Sequence, residues 1–245
     1  MSASTKTPDQ LPVGTPATSS PGAEHDSLVL TAKFLPIVAH FVAQGDIRYY
    51  LNGINVRPLA GGGVTICATN GHILGVYRDP AGVCSQEVTL SFGSKVMAAC
   101  TEQIDAERVV VLRHGRLTVL DQCGNEVCIQ AGNPVIDSQT AFPRFETVVP
   151  AAEDLRPGLV SCISGRLLKK LARAANSARK ALTTNSSRVG LDGLHFFNVN
   201  GDVNKCTVAH IDVAPDFLAI VMPMRPVRDI TQPLPSWLQA ERGAA

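Results

Sequence analysis

The sequence contains none of the short catalytic motifs that identify common enzyme families. It has no HExxH metal-binding motif, no GxSxG nucleophile elbow and no DxD-type metal cluster. The triplet Gly61-Gly62-Gly63 is not followed by the Gly-Lys-Ser/Thr of a phosphate-binding loop, so it indicates a hairpin turn instead. The six histidines are spread singly along the chain. We therefore expect a protein that is not an enzyme and that uses no cofactor and no metal.

Paired cysteines and long apolar runs are also missing. The seven cysteines include no CxxC pair, and scattered cysteines in odd number are typical of reduced, mostly buried thiols in a cytosolic protein. No apolar run approaches the roughly 20 residues of a membrane-spanning helix, and the N-terminus lacks a basic-then-apolar export signal. These absences favour a cytoplasmic protein with no membrane partner. The net charge is only +1, so any surface that binds nucleic acid must be local.

The two ends of the chain have little that could form a core. Residues 1–27 are rich in Ser, Thr, Pro, Ala and Gly, with almost no large apolar side chains, which predicts a disordered N-terminal arm. Residues 226–245 hold three prolines and predict an extended C-terminal tail.

Between these ends, one pattern occurs three times: a strand, a helix, then several strands separated by Gly or Asn turns. A single unit of this kind cannot bury both its sheet and its helix, so the units should pair or stack into an α+β fold with helices on one face of antiparallel sheets. Pro36 either opens or kinks the first helix. The predicted helices cover 32–43, 94–103 and 165–182, and the predicted strands cover 27–31, 49–59, 63–70, 72–78, 87–92, 108–115, 116–124, 125–132, 159–164, 188–199, 205–213 and 217–224.

Acidic residues are absent from a long basic stretch around the third predicted helix. From Arg156 to Arg188 there are eight basic residues and no acid. Five of them fall in one stripe about 100° wide at 3.6 residues per turn. A solvated helix face is one interpretation of this stripe, and non-specific contact with the phosphates of double-stranded DNA is the other and the favoured one. The five residues are Arg166, Lys169, Lys170, Arg173 and Lys180.

Four segments, in the correct order, resemble the bacterial DNA polymerase sliding clamp, the beta subunit of DNA polymerase III. GDIRYYLNG at 45–53 is similar to the opening of that family's middle domain, and ATNGHILGV at 68–76 resembles its ATDGHRLAV. FPRFETVVP at 142–150 is similar to FPDYRRVLP, and IVMPMR at 220–225 resembles the C-terminal VVMPMR. The chain is identified on these motifs as a shortened clamp-like member, of the kind that a phage or mobile element encodes.

The resemblance implies a DNA-clamp fold, a ring with helices around a central hole, and a hydrophobic pocket that binds short peptides of DNA polymerase or other clamp-binding proteins. It implies DNA contact by Arg48, Tyr49 and Tyr50. Of the two tyrosines, we expect one to pack inward on its strand. Methionine and valine would make the pocket adaptable, and proline would fix its rim. Carried over position by position, the pocket comprises Thr69, Gly71, His72, Leu74, Pro143, Val148, Val221, Met222, Pro223 and Met224.

The sequence also departs from the family. Ile73 stands where the family has Arg and Asn70 where it has Asp, which puts one polar contact to a bound peptide in question. The division predicted is a two-module clamp domain at 28–150 and a third module at 151–225, so the family's first domain is missing and the last is halved. A homo-oligomeric ring, with a tetramer favoured, is one interpretation. The alternative is a clamp mimic that never encircles DNA and diverts host clamp-binding proteins.

Overall fold

The computed structural model describes residues 28–101, 107–132, 142–159, 162–183 and 192–225. The predicted N-terminal arm and C-terminal tail lie outside these residues. The helices are α1 (Leu35–Ala39), α2 (Ser94–Thr101) and α3 (Gly165–Leu182), and short 3-10 helices cover Ala32–Phe34, Tyr49–Leu51, Phe145–Val148 and Ala152–Asp154. The strands are β1 (Leu28–Thr31), β2 (Ile54–Pro58), β3 (Val64–Thr69), β4 (Ile73–Asp79), β5 (Val83–Cys84), β6 (Val88–Leu90), β7 (Val109–Arg113), β8 (Arg116–Leu120), β9 (Glu126–Ala131), β10 (Leu155–Pro157), β11 (Leu194–Val199), β12 (Thr207–Ile211) and β13 (Ala214–Val221).

The three predicted helices are present, and the third has the predicted bounds. The second begins at Ser94 as predicted, and the last two predicted residues, 102 and 103, lie outside the described residues. The first is shorter than 32–43, because its opening turn is 3-10 and the α-helix ends at Ala39. Pro36 lies in the first turn of α1, where its missing N–H would have no partner, so it opens the helix and does not kink it. Helix α3 begins at Gly165 and ends at Leu182, as its uninterrupted amphipathic pattern predicts.

Two strand predictions are wrong in detail. Tyr49–Leu51 form a 3-10 turn before β2, so the tyrosine pair is not on a strand. In the segment 159–164, the described residues 159 and 162–164 are not in a strand; the strand of this region is β10, at Leu155–Pro157. The hairpin turn predicted at Gly61–Gly63 is present between β2 and β3, and a turn at Asn70-Gly71 joins β3 to β4. The strands predicted at 108–115, 116–124 and 125–132 are present as β7, β8 and β9, which pair in sequence order as a meander.

The strands form two antiparallel sheets. The first has the order β5-β1-β7-β8-β9, and the second has the order β10-β11-β12-β13-β4-β3-β2-β6. The eight-stranded sheet is continuous because β13 pairs with β4, in a register that places Ala219 opposite Gly75 and Val221 opposite Ile73. The last strand of the third module therefore lies beside the first module, and one sheet crosses the predicted boundary at residue 150.

Both faces of the eight-stranded sheet are buried near its centre, and the strand alternation assigns each side chain to one of them. On one face, α1 packs on β3 and β4, and α3 packs on α1 and β13. The main core lies on this face and includes Phe41, whose ring lies so close to Gly75 that a Cβ at this position would clash with it. The opposite face carries a small second cluster, Ala43, Leu51, Cys67, Leu74, Val76, Phe142 and Ile220. The predicted α+β fold, with helices on one face of antiparallel sheets, is confirmed.

A buried carboxylate joins the first strand to the sheet. Asp79, at the end of β4, accepts hydrogen bonds from the backbone N–H and the hydroxyl of Thr31, at 2.7 and 3.0 Å. It also accepts the N–H groups of Ala81 and Gly82, both at 3.1 Å. Four donors satisfy this carboxylate, as burial requires. Of the helices that the structure describes, none is long and apolar enough to span a membrane.

Candidate functional site

A cavity of about 300 Å³ opens on the face of the eight-stranded sheet that is turned away from the helices. Leu51, Leu74, Phe142 and Ile220 of the second hydrophobic cluster form its floor. The volume lies at the lower end of the range of small-ligand pockets, which suits one or two apolar side chains. The other residues around it are Arg48, Tyr50, Thr69, Gly71, His72, Ile73, Pro143, Arg144, Phe145, Thr147, Val148 and Met222.

One wall is the end of β13. Ile220 and Met222 are two residues apart and both line the cavity. Val221, between them, is fully buried in the main core on the opposite face. The prediction that Val221 lines the pocket is therefore wrong, and Ile220 takes that place because successive strand residues point to opposite faces. The backbone N–H of Met222 donates to the carbonyl of His72 at 2.9 Å, which holds this wall against the β3–β4 turn.

The second wall is that turn, Thr69 to Ile73. The side-chain oxygen of Asn70 accepts the N–H groups of His72 and Ile73, both at 3.0 Å. The hydroxyl of Thr69 donates to the carbonyl of Ile73 and accepts the N–H of Gly71. Gly71 has φ +86°, and a Cβ there would lie 3.0 Å from the Arg48 guanidinium. Asn70 thus supplies the turn-forming oxygen that an Asp would supply at the same position.

The third wall is the segment Phe142–Val148, and Arg57 of β2 holds it in place. The Arg57 guanidinium donates to the carbonyls of Phe142 and Pro143, at 3.2 and 3.1 Å. It also donates to Glu146, pairs with Glu87 at 3.1 Å and lies over the ring of Phe145. Arg57 carries no local signal in the sequence, because its partners lie some 30 to 90 positions further along the chain.

The three residues predicted to contact DNA occupy different surroundings. Tyr50 is half-buried and lines the cavity, while Tyr49 is exposed, so one tyrosine does pack inward, but from a 3-10 turn. Arg48 is exposed and forms a two-point ion pair with Asp46, at 2.8 and 3.0 Å. The hydrogen bonds from Arg48 lower the pKa of Asp46 to about 2, so this pair stays ionised at neutral pH.

The basic stripe of α3 is exposed with one exception. The side chains of Arg166, Lys169, Arg173 and Lys180 lie at the surface. Lys170 is half-buried, and its ammonium donates to the carbonyls of His40 and Val42 at 2.8 and 3.3 Å. Burial, followed by the neighbouring Arg173, lowers the pKa of Lys170. Lys170 therefore joins α3 to the C-terminal end of α1. The prediction that it belongs with the other four residues to an exposed basic stripe is corrected.

Of the ten predicted pocket residues, the structure brings seven together around the cavity. Val221 points into the core, and Pro223 and Met224 lie beyond the cavity, where the N–H of Met224 donates to the carbonyl of Cys162. The alternation of side chains along a strand is the signal in the sequence that would have assigned Ile220, and not Val221, to the pocket. No group of three or more His, Cys, Asp or Glu that could hold a metal ion occurs within the described ranges. The seven are Thr69, Gly71, His72, Leu74, Pro143, Val148 and Met222.

Comparison with solved structures identifies the architecture. A DNA polymerase sliding clamp from Pseudomonas aeruginosa matches over 86% of this chain and 70% of its own, with 20% identity and a TM-score of 0.54. The chain has the sliding-clamp fold. Similar values hold for the Bartonella birtlesii clamp bound to griselimycin (17% identity, 86% and 69% coverage, TM-score 0.52) and for the Thermotoga maritima beta subunit (14%, 89% and 69%, 0.53). No protein-family model and no curated protein matches the sequence.

The clamp fold predicted from four short motifs is thus confirmed, although overall identity to these clamps is low. Within this clamp fold the cavity lies at the junction where β13 joins β4. Three of the four motifs, 45–53, 68–76 and 142–150, contribute side chains to it, and the fourth contributes Ile220 and Met222. The resemblance is concentrated where the cavity is formed.

Proposed function

We propose that this chain is a sliding-clamp-like factor of DNA replication that holds partner proteins on DNA without catalysing a reaction. The observation that carries the proposal is the cavity at the β4–β13 junction, lined by Leu74, Ile220 and Met222. A partner such as a DNA polymerase would insert the Leu and Phe side chains of a short peptide into it, and Met222 would adapt to different anchors. A site this small supports micromolar affinity, about −8 kcal/mol.

Calorimetry with a polymerase-derived peptide that bears Leu and Phe anchors tests the proposal. We expect saturable heat with a dissociation constant on the order of micromolar. The absence of both heat and competition at hundreds of micromolar peptide would contradict the proposal. Griselimycin, present in the B. birtlesii clamp structure, is a second probe, and we expect it to bind this chain as well.

The proposal extends to duplex DNA. The exposed cations of α3, Arg166, Lys169 and Lys180, have the spacing and charge for contact with the phosphate backbone, and Tyr49 adds an exposed aromatic ring. Such contact carries no sequence information, which suits a protein that moves along DNA. We expect weak binding that falls steeply as the salt concentration rises.

Closure around DNA requires several copies of the chain. β9 supports self-association, because it is the longest unpaired edge strand among the described residues and exposes Val127 and Ile129 on one face. An edge strand of the eight-stranded sheet, β10, is less suited to pairing with another copy, since it has three residues and ends at Pro157. The last strand of the chain, β13, offers no free edge, because it pairs with β4.

A further inference from the structure

A second cavity, of about 620 Å³, lies beside the first, between the C-terminal end of α1 and α3. Arg48 and His72 line both cavities, so the two openings adjoin. They differ in chemistry. The first has an apolar floor, whereas polar and charged groups, including His40, Lys170 and Arg173, line much of the second.

Positive charge in the second cavity is not balanced by acid. Asp46 is the only carboxylate among the described residues that line it, and the two-point pair with Arg48 occupies that carboxylate. The Lys170 ammonium is bound to two neutral carbonyls, which leave its charge uncompensated. Burial and the charges of Arg173 and Lys170 lower the pKa of His40, as expected where cations meet without an anion.

We propose that this cavity binds an acidic side chain of the partner peptide whose apolar anchors occupy the first cavity. The inference rests on the proposed function and adds a requirement to it: Glu or Asp next to the anchors, held by Arg173 and Lys170. A carboxylate pairs with a guanidinium through two hydrogen bonds and neutralises the local charge.

A peptide fits this position better than duplex DNA does. Lys170 is recessed between two helices, where one carboxylate on an extended chain can reach it. The side chains of Arg166, Lys169 and Lys180 project from the surface of α3 and suit a broad duplex. The shared lining by Arg48 and His72 also makes the cavity continuous with the site proposed for an extended peptide, and Arg173 is the exposed cation of the stripe that lines it.

The test compares four synthetic peptides that carry the same Leu and Phe anchors, with three Glu or three Gln residues added at the N- or the C-terminus. Fluorescence anisotropy of these peptides, and of a labelled DNA duplex, is measured at low and high salt with the full chain and with the variants Arg173→Gln and Lys180→Gln. Both variants lose one positive charge from α3, but only Arg173 lines the cavity. We expect Glu at one terminus to raise affinity about fivefold to tenfold over Gln. Arg173→Gln should reduce that ratio to about one, and Lys180→Gln should leave it unchanged.

Four results would overturn the inference. Equal affinity of Glu and Gln peptides for the wild-type chain would show that no acidic subsite exists, while leaving the apolar pocket intact. An equal loss in both variants would assign the effect to the general charge of α3. Loss of duplex binding in Arg173→Gln, with an unchanged peptide ratio, would assign Arg173 to DNA. Absence of binding by all four peptides would remove the proposed pocket and the subsite together.

Discussion

At the residue scale, the candidate site depends on a side chain that is not near its opening. Arg57 joins the wall Phe142–Val148 to β2 through two carbonyls, Glu146 and the face of Phe145, and only 14% of its side chain is exposed. Several charge-assisted bonds from one rigid guanidinium hold a segment that has little regular structure. The shape of the cavity therefore follows from a residue that contacts the wall from behind.

Replacement of Arg57 should weaken peptide binding by releasing this wall. We expect Arg57→Gln to lower peptide affinity about tenfold and to reduce the free energy of unfolding by about 1–3 kcal/mol. Titration and urea denaturation measure the two effects. Arg78→Gln, which removes an exposed arginine of β4 outside the cavity, is the control and should change neither. Wild-type affinity in Arg57→Gln would show that the wall holds its position unaided.

His40 should make folding stability depend on pH. Burial first, then Arg173 and Lys170, lower its pKa, and its ring lies 2.9 Å from the Ser177 hydroxyl. Below pH 6.5 the unfolded chain takes up a proton that the folded chain resists, so this residue favours unfolding as the pH falls. We expect the free energy of unfolding to decrease from pH 7 to pH 5.5 by a larger amount in the wild type than in His40→Gln. Identical decreases would contradict this role.

At the element scale, α3 has a buried side that packs in the core and an exposed side that carries cations, and its burial pattern separates the two. Leu167, Leu171 and Ala178 pack into the core, and Lys170 caps the end of α1. The outward cations remain available for phosphate. A test of DNA binding should therefore leave Lys170 intact, since its replacement would disturb the contact between two helices.

Charge reversal at Arg166, Lys169 and Lys180 should abolish weak binding to duplex DNA. Each lost phosphate contact should reduce the slope of log affinity against log salt by about 0.9. Electrophoretic mobility and anisotropy at several salt concentrations give both quantities, and circular dichroism confirms folding. Reversal at Arg78, Arg116 and Lys205, three exposed cations that lie outside the helices, is the matched control. Unchanged affinity for duplex DNA in the α3 variant would show that these cations do not contact the phosphates.

How much the sequence could predict depends on the range of the interactions involved. The bounds of α3 follow from an 18-residue amphipathic pattern, which is local. The pair Tyr49-Tyr50 has strand propensity, yet the loop into β2 needs a 3-10 turn, so tertiary context overrides it. Val221 was predicted to line the pocket because the family motif does not show which face of the strand each residue occupies. Strand alternation places Ile220 there instead. Arg57 and the pairing of β13 with β4 are contacts between distant segments, which periodicity cannot indicate.

At the scale of the whole molecule, one continuous eight-stranded sheet extends from β10 to β6, and the proposed ring needs further copies to close. Light scattering at tens of micromolar measures the mass directly. We expect a closed oligomer, with a tetramer favoured, and Ile129→Lys on the exposed edge of β9 should dissociate it. Val203→Lys, at an exposed site outside β9, is the control. A monomeric wild type would exclude a ring and favour a docking module that does not encircle DNA.

Two neighbouring methionines can test whether the β4–β13 cavity binds a partner peptide. Met222 lines the cavity and Met224 does not, although both are exposed to similar extents, 38% and 46%. The measurement is the calorimetric affinity of the Met222→Ala and Met224→Ala variants for the peptide with Leu and Phe anchors. We expect a loss of about 1–2 kcal/mol of binding free energy for Met222→Ala, wild-type affinity for Met224→Ala and unchanged folding in both. Equal affinity in the two variants, or no binding by the wild type at hundreds of micromolar, would contradict this expectation.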